Sequence, residues 1–203
     1  ECTRLAGSSP EPARAHLQAA IALYDRVVGD GLEGREAIAI LERSVAAYAR
    51  FLLLFLYSLN ELIPRIRRFA FTNTLVETSA WFDSMPVGNA VDTVMREVGG
   101  SGTDYGNVLL ELRQRLLPEI DRKTTVLILG DARNNRGHPQ AAVMELLHRR
   151  ARRVIWLNPE PRTFWGLGDS EMLRYAPHCH VAKHCNSVKH LERAMNDLLR
   201  MRA

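Results

Sequence analysis

An acid placed just past a buried apolar run is the most chemically suggestive feature of this sequence. In the stretch 124–139, TTVLILGDARNNRGHP, the apolar residues 126–129 run straight into Gly130 and Asp131. Such a run, closed by Gly-Asp and a polar loop, reads as a buried parallel strand. In open α/β sheets ligands collect beyond the carboxyl ends of the strands, so Asp131 stands where a ligand would bind. Thr103, in the glycine-rich stretch GGSGTDYG (99–106), offers a hydroxyl from a second loop. A hydroxyl and a carboxylate together suit a hard cation such as Mg²⁺, which takes oxygen ligands and keeps several waters. A third oxygen would come from the loop after the first strand, beside Ser44. The plainer reading is that Asp131 caps a turn.

Other motifs carry less. GGSGTDYG lacks the GK[ST] and G-x-G-x-x-G spacings of phosphate loops and follows a helix rather than a strand. It reads instead as a loop presenting Thr103 and Asp104 at a helix N-terminus, where either residue would cap. Gly168-Asp169-Ser170 is like the GDS block of some serine hydrolases. It comes late in the chain, however, and Asp169 followed by Glu171 reads as a helix start. His178, Cys179, His180, His184 and Cys185 have a spacing that suggests zinc. On a strand, though, His178 and His180 would face one way and Cys179 the other, and a buried free cysteine behaves as a small hydrophobe.

The elements that must position these residues follow from hydrophobic periodicity. Helices are expected over 12–28, 45–62, 86–98, 107–117, 140–150, 169–174 and 187–201. Pro139 is expected to open the helix at 140, as proline suits a first helical position. Strands are expected over 65–71, 125–129, 153–157 and 178–183, with 74–78 pairing to 65–71 as a hairpin around Asn73. The segment AIAIL (37–41) fits either a buried strand or the start of the long helix. Strands alternating with helices indicate an α/β fold with a mainly parallel sheet. Residues 1–34 read as a helical extension and linker, and 35–203 as one domain.

The 203 residues are 46% hydrophobic and 25% charged, ordinary for a globular protein. The longest apolar run, 51–57, is far short of the roughly 20 residues that span a bilayer. Three cysteines make no disulfide framework, and a reducing cytoplasm is the default expectation. Of 27 basic residues only Lys123, Lys183 and Lys189 are lysines. The run HRRARR (148–153) closes a helix, where cations suit the dipole; the rival reading is an arginine-rich nucleic-acid binder.

The segments SVAAYARFLLLFLYSL (44–59), RRFAFTNTLVETS (67–79), GSGTDYG, LILGDARNN and VIWLNPEPRTFWGLGDSEMLRYAPHCH together resemble the CoxE-like branch of von Willebrand factor A (VWA) domain proteins. The resemblance covers about residue 37 to the C-terminus, and WLNPE is its most specific piece. It implies a doubly wound, Rossmann-like, mainly parallel six-stranded sheet bearing a metal-ion-dependent adhesion site. That site consists of D-x-S-x-S after the first strand, a threonine in a G-G-T-D-like loop, and an aspartate after the fourth strand. Thr103 and Asp131 match the last two, and Ser44 matches the final serine of the first. The rest of the first motif departs from the pattern: Ile40 holds the aspartate position and Glu42 the first serine position, so Glu42 could supply a carboxylate only by shifting. Asp104 and Asn134 would support the site. The resemblance further implies an interaction module rather than an enzyme. Its partners would be a MoxR-type AAA+ ATPase and a client metalloenzyme such as carbon monoxide dehydrogenase. The rival from another class is a hydrolase or phosphatase that uses Asp131, with Asp104 as the second acid.

Overall fold

The computed structural model describes residues 36–42, 65–98, 102–187, 189, 190 and 193. The expected helices 12–28 and 45–62, most of 187–201, the boundary at 34/35 and Ser44 lie outside them. The strands are β1 (Glu36–Glu42), β2 (Arg65–Phe71), β3 (Leu75–Glu77), β4 (Thr125–Leu129), β5 (Arg153–Asn158) and β6 (Val181–His184). The helices are α1 (Ser79–Ser84), α2 (Val87–Glu97), α3 (Tyr105–Arg115), α4 (Ala141–Arg150) and α5 (Met172–Tyr175). AIAIL is therefore strand.

The strands form one sheet in the order β3-β2-β1-β4-β5-β6. All neighbours run parallel except β2 and β3, which pair as a hairpin with Phe71 opposite Leu75. Across that hairpin Arg67 reaches Glu77 at 2.7 Å. β1 pairs with β2 on one side and β4 on the other. Strand order thus turns around between β1 and β4, which is the switch point where open sheets bind ligands.

The period-2 alternation along β4 and β5 divides two cores. Val126, Ile128, Val154 and Trp156 pack with Val108, Leu109 and Leu112 of α3 and with Val143, Met144 and Leu147 of α4. Leu127, Leu129, Ile155 and Leu157 pack with Phe82 of α1 and with Ala90, Val91 and Val94 of α2. Helices therefore cover both faces, which is why β4 and β5 read as unbroken apolar runs. No helix of the described residues is long and apolar enough to cross a membrane.

Three local expectations are corrected. Pro139 does not open α4: the helix begins at Ala141, and Gln140 caps it with φ 52°. The Pro139 carbonyl is instead taken by the Tyr175 hydroxyl at 2.8 Å. Asp169 does not start a helix either, because α5 begins at Met172 with Glu171 as its N-cap. Finally, β6 covers only Val181–His184, since a 3₁₀ turn, Ala176–His178, occupies the start of the expected strand.

Candidate functional site

The Thr103 loop and the Asp131 loop are laced together above the carboxyl edge of the sheet. Asn135 donates its side-chain N–H to the Thr103 carbonyl at 2.8 Å. Gly106 donates its N–H to Asn134 Oδ1 at 3.3 Å. Ala132 donates its N–H to the Tyr105 hydroxyl at 3.0 Å. The Thr103 loop is also joined to the end of β2, where Asp104 N–H meets the Thr72 carbonyl at 2.9 Å. Thr103 itself is buried.

Each expected site residue other than Ser44, which lies outside the described residues, takes a definite place. Asp131 is half-buried, and its Oδ1 accepts the N–H of Arg133 at 2.8 Å. That bond is the turn-capping reading of Asp131, and it also fixes where the carboxylate points. Asp104 caps α3, its Oδ1 accepting the N–H of Asn107 at 2.8 Å. Asn134 is buried and acts as a clamp, since its amide also donates to the Gly137 carbonyl at 2.8 Å. Glu42 is the last residue of β1, opposite Phe71. Ile40 lies two residues inside that strand, level with Phe69 and Ile128.

Sequence reasoning missed the residues that hold the Asp131 loop. Three aromatic side chains beneath it each hold its backbone at one point. Trp156 Nε1 donates to the Gly130 carbonyl at 2.8 Å, Tyr105 takes Ala132, and Tyr175 takes Pro139. The rings stack on one another, with Trp156 5.1 Å from Tyr175 and 5.6 Å from Tyr105. Asn158, at the end of β5, donates to the Asp131 carbonyl at 3.0 Å, which is the structural use of the asparagine in WLNPE. The loop needs this support because Ala132, Asn135, Arg136 and Gln140 all have positive φ, a region that costs non-glycine residues about 1–2 kcal/mol each. The local signal was Asn-Asn-x-Gly, a turn composition; nothing local marked the aromatic partners.

Arg133 joins this loop to the segment after β5. Its guanidinium pairs with Glu160 at 2.8 Å and with Asp169 at 2.8 Å. The hydrogen bond to Glu160, and then that to Asp169, raises the Arg133 pKa. Burial pushes the Asp169 carboxyl up, but the Arg133 guanidinium and the Asn135 N–H help to hold it below the ordinary aspartate range. A carboxyl with a lowered folded pKa contributes stability above its unfolded pKa and loses it as pH falls through the folded value. Unfolding free energy, followed by urea titration, is therefore expected to fall as pH drops below about 4. Arg133→Met should flatten that dependence. An unchanged slope would show that the pair adds nothing to folding. The Arg67–Glu77 pair, where the Arg67 hydrogen bond lowers Glu77, leaves a residual slope in the variant.

A cavity of about 370 Å³ opens beside this network, lined by Asn135, Arg136, Gly168 and Asp169. The His/Cys cluster does not gather: among the described residues no group of three or more His, Cys, Asp or Glu could hold a metal ion. His180 stacks on His148 at 4.2 Å, and its Nδ1 accepts the Val154 N–H at 3.0 Å. Burial pushes the Cys179 thiol up to about 12, so it is not a ready thiolate ligand.

A two-sided α/β sheet with loops converging over its switch point is the architecture of a von Willebrand factor A domain. The chain belongs to the family described as VWA domain containing CoxE-like protein, whose model matches residues 41–194. Among solved structures it is similar to an aerotolerance-related membrane protein from Bacteroides fragilis NCTC 9343, crystallised with multiple mutations to serines. The identity is 11%, the TM-score 0.52, and the match covers 83% of this chain and 100% of that one. At that identity the likeness shows the fold alone. No curated relative matches the sequence.

Proposed function

We propose that this chain is a protein-docking module, not an enzyme, whose carboxyl edge receives an acidic side chain from a partner through Mg²⁺. The observation that supports this most is the lacing of the Thr103 loop to the Asp131 loop across the switch point. Asp131, Thr103 and Ser44 would hold the ion. Their oxygens fit Mg²⁺ in kind but fall short in charge, because Ile40 stands where the first motif has its aspartate. A single ligand carboxylate makes a weak site, which a carboxylate from the partner would complete. The bound ion would bridge the two proteins electrostatically. The chain's own contribution is to orient the Asp131 carboxylate through the Arg133 N–H and to hold the Thr103 loop against it.

By the family resemblance the partner is a MoxR-type AAA+ ATPase in the cytoplasm, and the client is a metalloenzyme such as carbon monoxide dehydrogenase. Isothermal titration with Mg²⁺ and Mn²⁺ tests the ion. The unmodified protein should give a weak saturable heat and Asp131→Ala none. Loss of the bond to Arg133 should cost that variant about 1 kcal/mol of stability, so it remains folded for the measurement. Equal heats from the two proteins would remove the metal and leave the fold.

A further inference from the structure

Large apolar side chains that are exposed among the described residues are Leu146, Phe164, Leu167 and Leu173. Three of these fall within ten residues of one another, in the segment after β5. Phe164 is 48% exposed, Leu167 55% and Leu173 62%. They form one ridge: Leu173 lies against Gly166, whose added Cβ would meet Leu173 Cγ at 2.9 Å, and Phe164 and Leu167 share a turn closed at 3.0 Å. Isolated exposed leucines need no explanation, but a contiguous apolar patch marks a contact surface.

The ridge is preorganised. Successive turns link Pro161 to Phe164, Phe164 to Leu167, and Leu167 to Ser170, at 2.9, 3.0 and 3.2 Å. Trp165 is buried beneath it and donates its Nε1–H to the Glu160 carbonyl at 3.1 Å. A surface already ordered loses little entropy on binding.

Charge around the ridge selects the occupant. The acids Glu160, Asp169 and Glu171 are each engaged by Arg133 or Arg174. Arg162 sits over the Trp165 ring at 5.1 Å and donates to the Ala182 carbonyl at 3.0 Å, and no acid among the described residues neutralises it. Arg136 lines the cavity together with Asn135, Gly168 and Asp169, and Gly168 directly follows Leu167 in the chain. Glu160 and Asp169 share the one guanidinium of Arg133, and Glu171 has Arg174; with Arg162 and Arg136 the rim carries four arginines against three acids, so its net charge is positive, and arginine beside apolar anchors is the composition of interface hot spots.

We infer that the ridge of Phe164, Leu167 and Leu173 docks an acidic partner segment that carries leucine or aromatic anchors, with a carboxylate placed in the cavity before Arg136. This deepens the docking reading and rests on it only for the choice of edge, since ridge binding needs no ion.

The test is selection from a displayed library of random linear peptides against the whole chain in EDTA. Enriched peptides should combine leucine or aromatic residues with Asp or Glu. The best of them should bind the Leu167→Ser, Leu173→Ser double variant about tenfold or more weakly, and Arg136→Glu should weaken it as well. Both leucines are more than half exposed, so the double variant should keep its melting temperature. Three outcomes would overturn the inference: no enrichment, enrichment without acids, or equal binding by the variants. So would sedimentation showing that the unmodified chain self-associates while the serine variant does not, because the occupant would then be a second copy. Peptide binding in EDTA together with equal Mg²⁺ heats for the unmodified protein and Asp131→Ala would keep the ridge and remove the ion.

Discussion

Gly106→Ala lowers the melting temperature, although alanine is the better residue for a helix. Gly106 is the second residue of α3. Helix propensity alone would make the substitution stabilising by about 1 kcal/mol. A Cβ at this position, however, would fall inside the van der Waals envelope of the His138 carbonyl oxygen. That oxygen is backbone and cannot rotate away, so the loop 134–138 must move. Overpacking of this kind costs about 1–3 kcal/mol and occasionally more, which outweighs the propensity gain. The net loss is then up to about 2 kcal/mol, or as much as roughly 4–8 °C for a chain of this size. The displacement also opens the Gly106–Asn134 hydrogen bond and separates the two arms of the proposed site, so the Mg²⁺ heat should vanish with the stability. Calorimetry of the variant checks both effects. A rise in melting temperature would mean that the two loops do not approach this closely.

Trp156→Ala has the larger effect, about 3–5 kcal/mol, as for other buried aromatic truncations. Trp156 is fully buried and stacks on both Tyr105 and Tyr175. It is also the donor to Gly130, the residue just before Asp131. Trp156→Phe separates the two roles. It keeps most of the ring but leaves the Gly130 carbonyl without that donor, at a cost of about 1–3 kcal/mol. Combining it with Tyr175→Phe should give a loss different from the sum of the single losses, because both side chains hold one loop. Urea unfolding followed by circular dichroism supplies all four values. Strict additivity would show that the aromatic cluster supports the core but does not hold the loop as a unit.

The pattern of elements was legible because each is a local signal. VLIL closed by Gly-Asp became β4, and the alternation of RIRRFAF became β2 with its hairpin partner around Asn73. A cap by Thr103 or Asp104 could be read from the loop; the structure chooses Asp104 and begins the helix at Tyr105 rather than at the expected 107. The failures are equally specific. Ala37–Leu41 is too short for periodicity to separate strand from helix, and pairing with β2 and β4 decided it. By local rules Pro139 opens α4, but the Tyr175 hydroxyl 36 residues away takes its carbonyl. The local pattern puts His178 on a strand, whereas the chain makes a 3₁₀ turn through Pro177 before β6 begins.

By itself the sequence determined the alternating elements, the family, and the two loops that carry Thr103 and Asp131. These depend on periodicity, turn residues and short motifs, which act over a few neighbours. Tertiary structure alone decided how those loops are held. Trp156 under Gly130, Asn158 against Asp131, and Arg133 between Glu160 and Asp169 join residues about 26 to 36 positions apart. Tertiary structure also left Phe164, Leu167 and Leu173 in solvent while it buried Trp165 between them. A hydrophobic residue carries no local mark of which side it will face in an irregular segment, because there the backbone has no fixed period and only packing against the rest of the chain chooses.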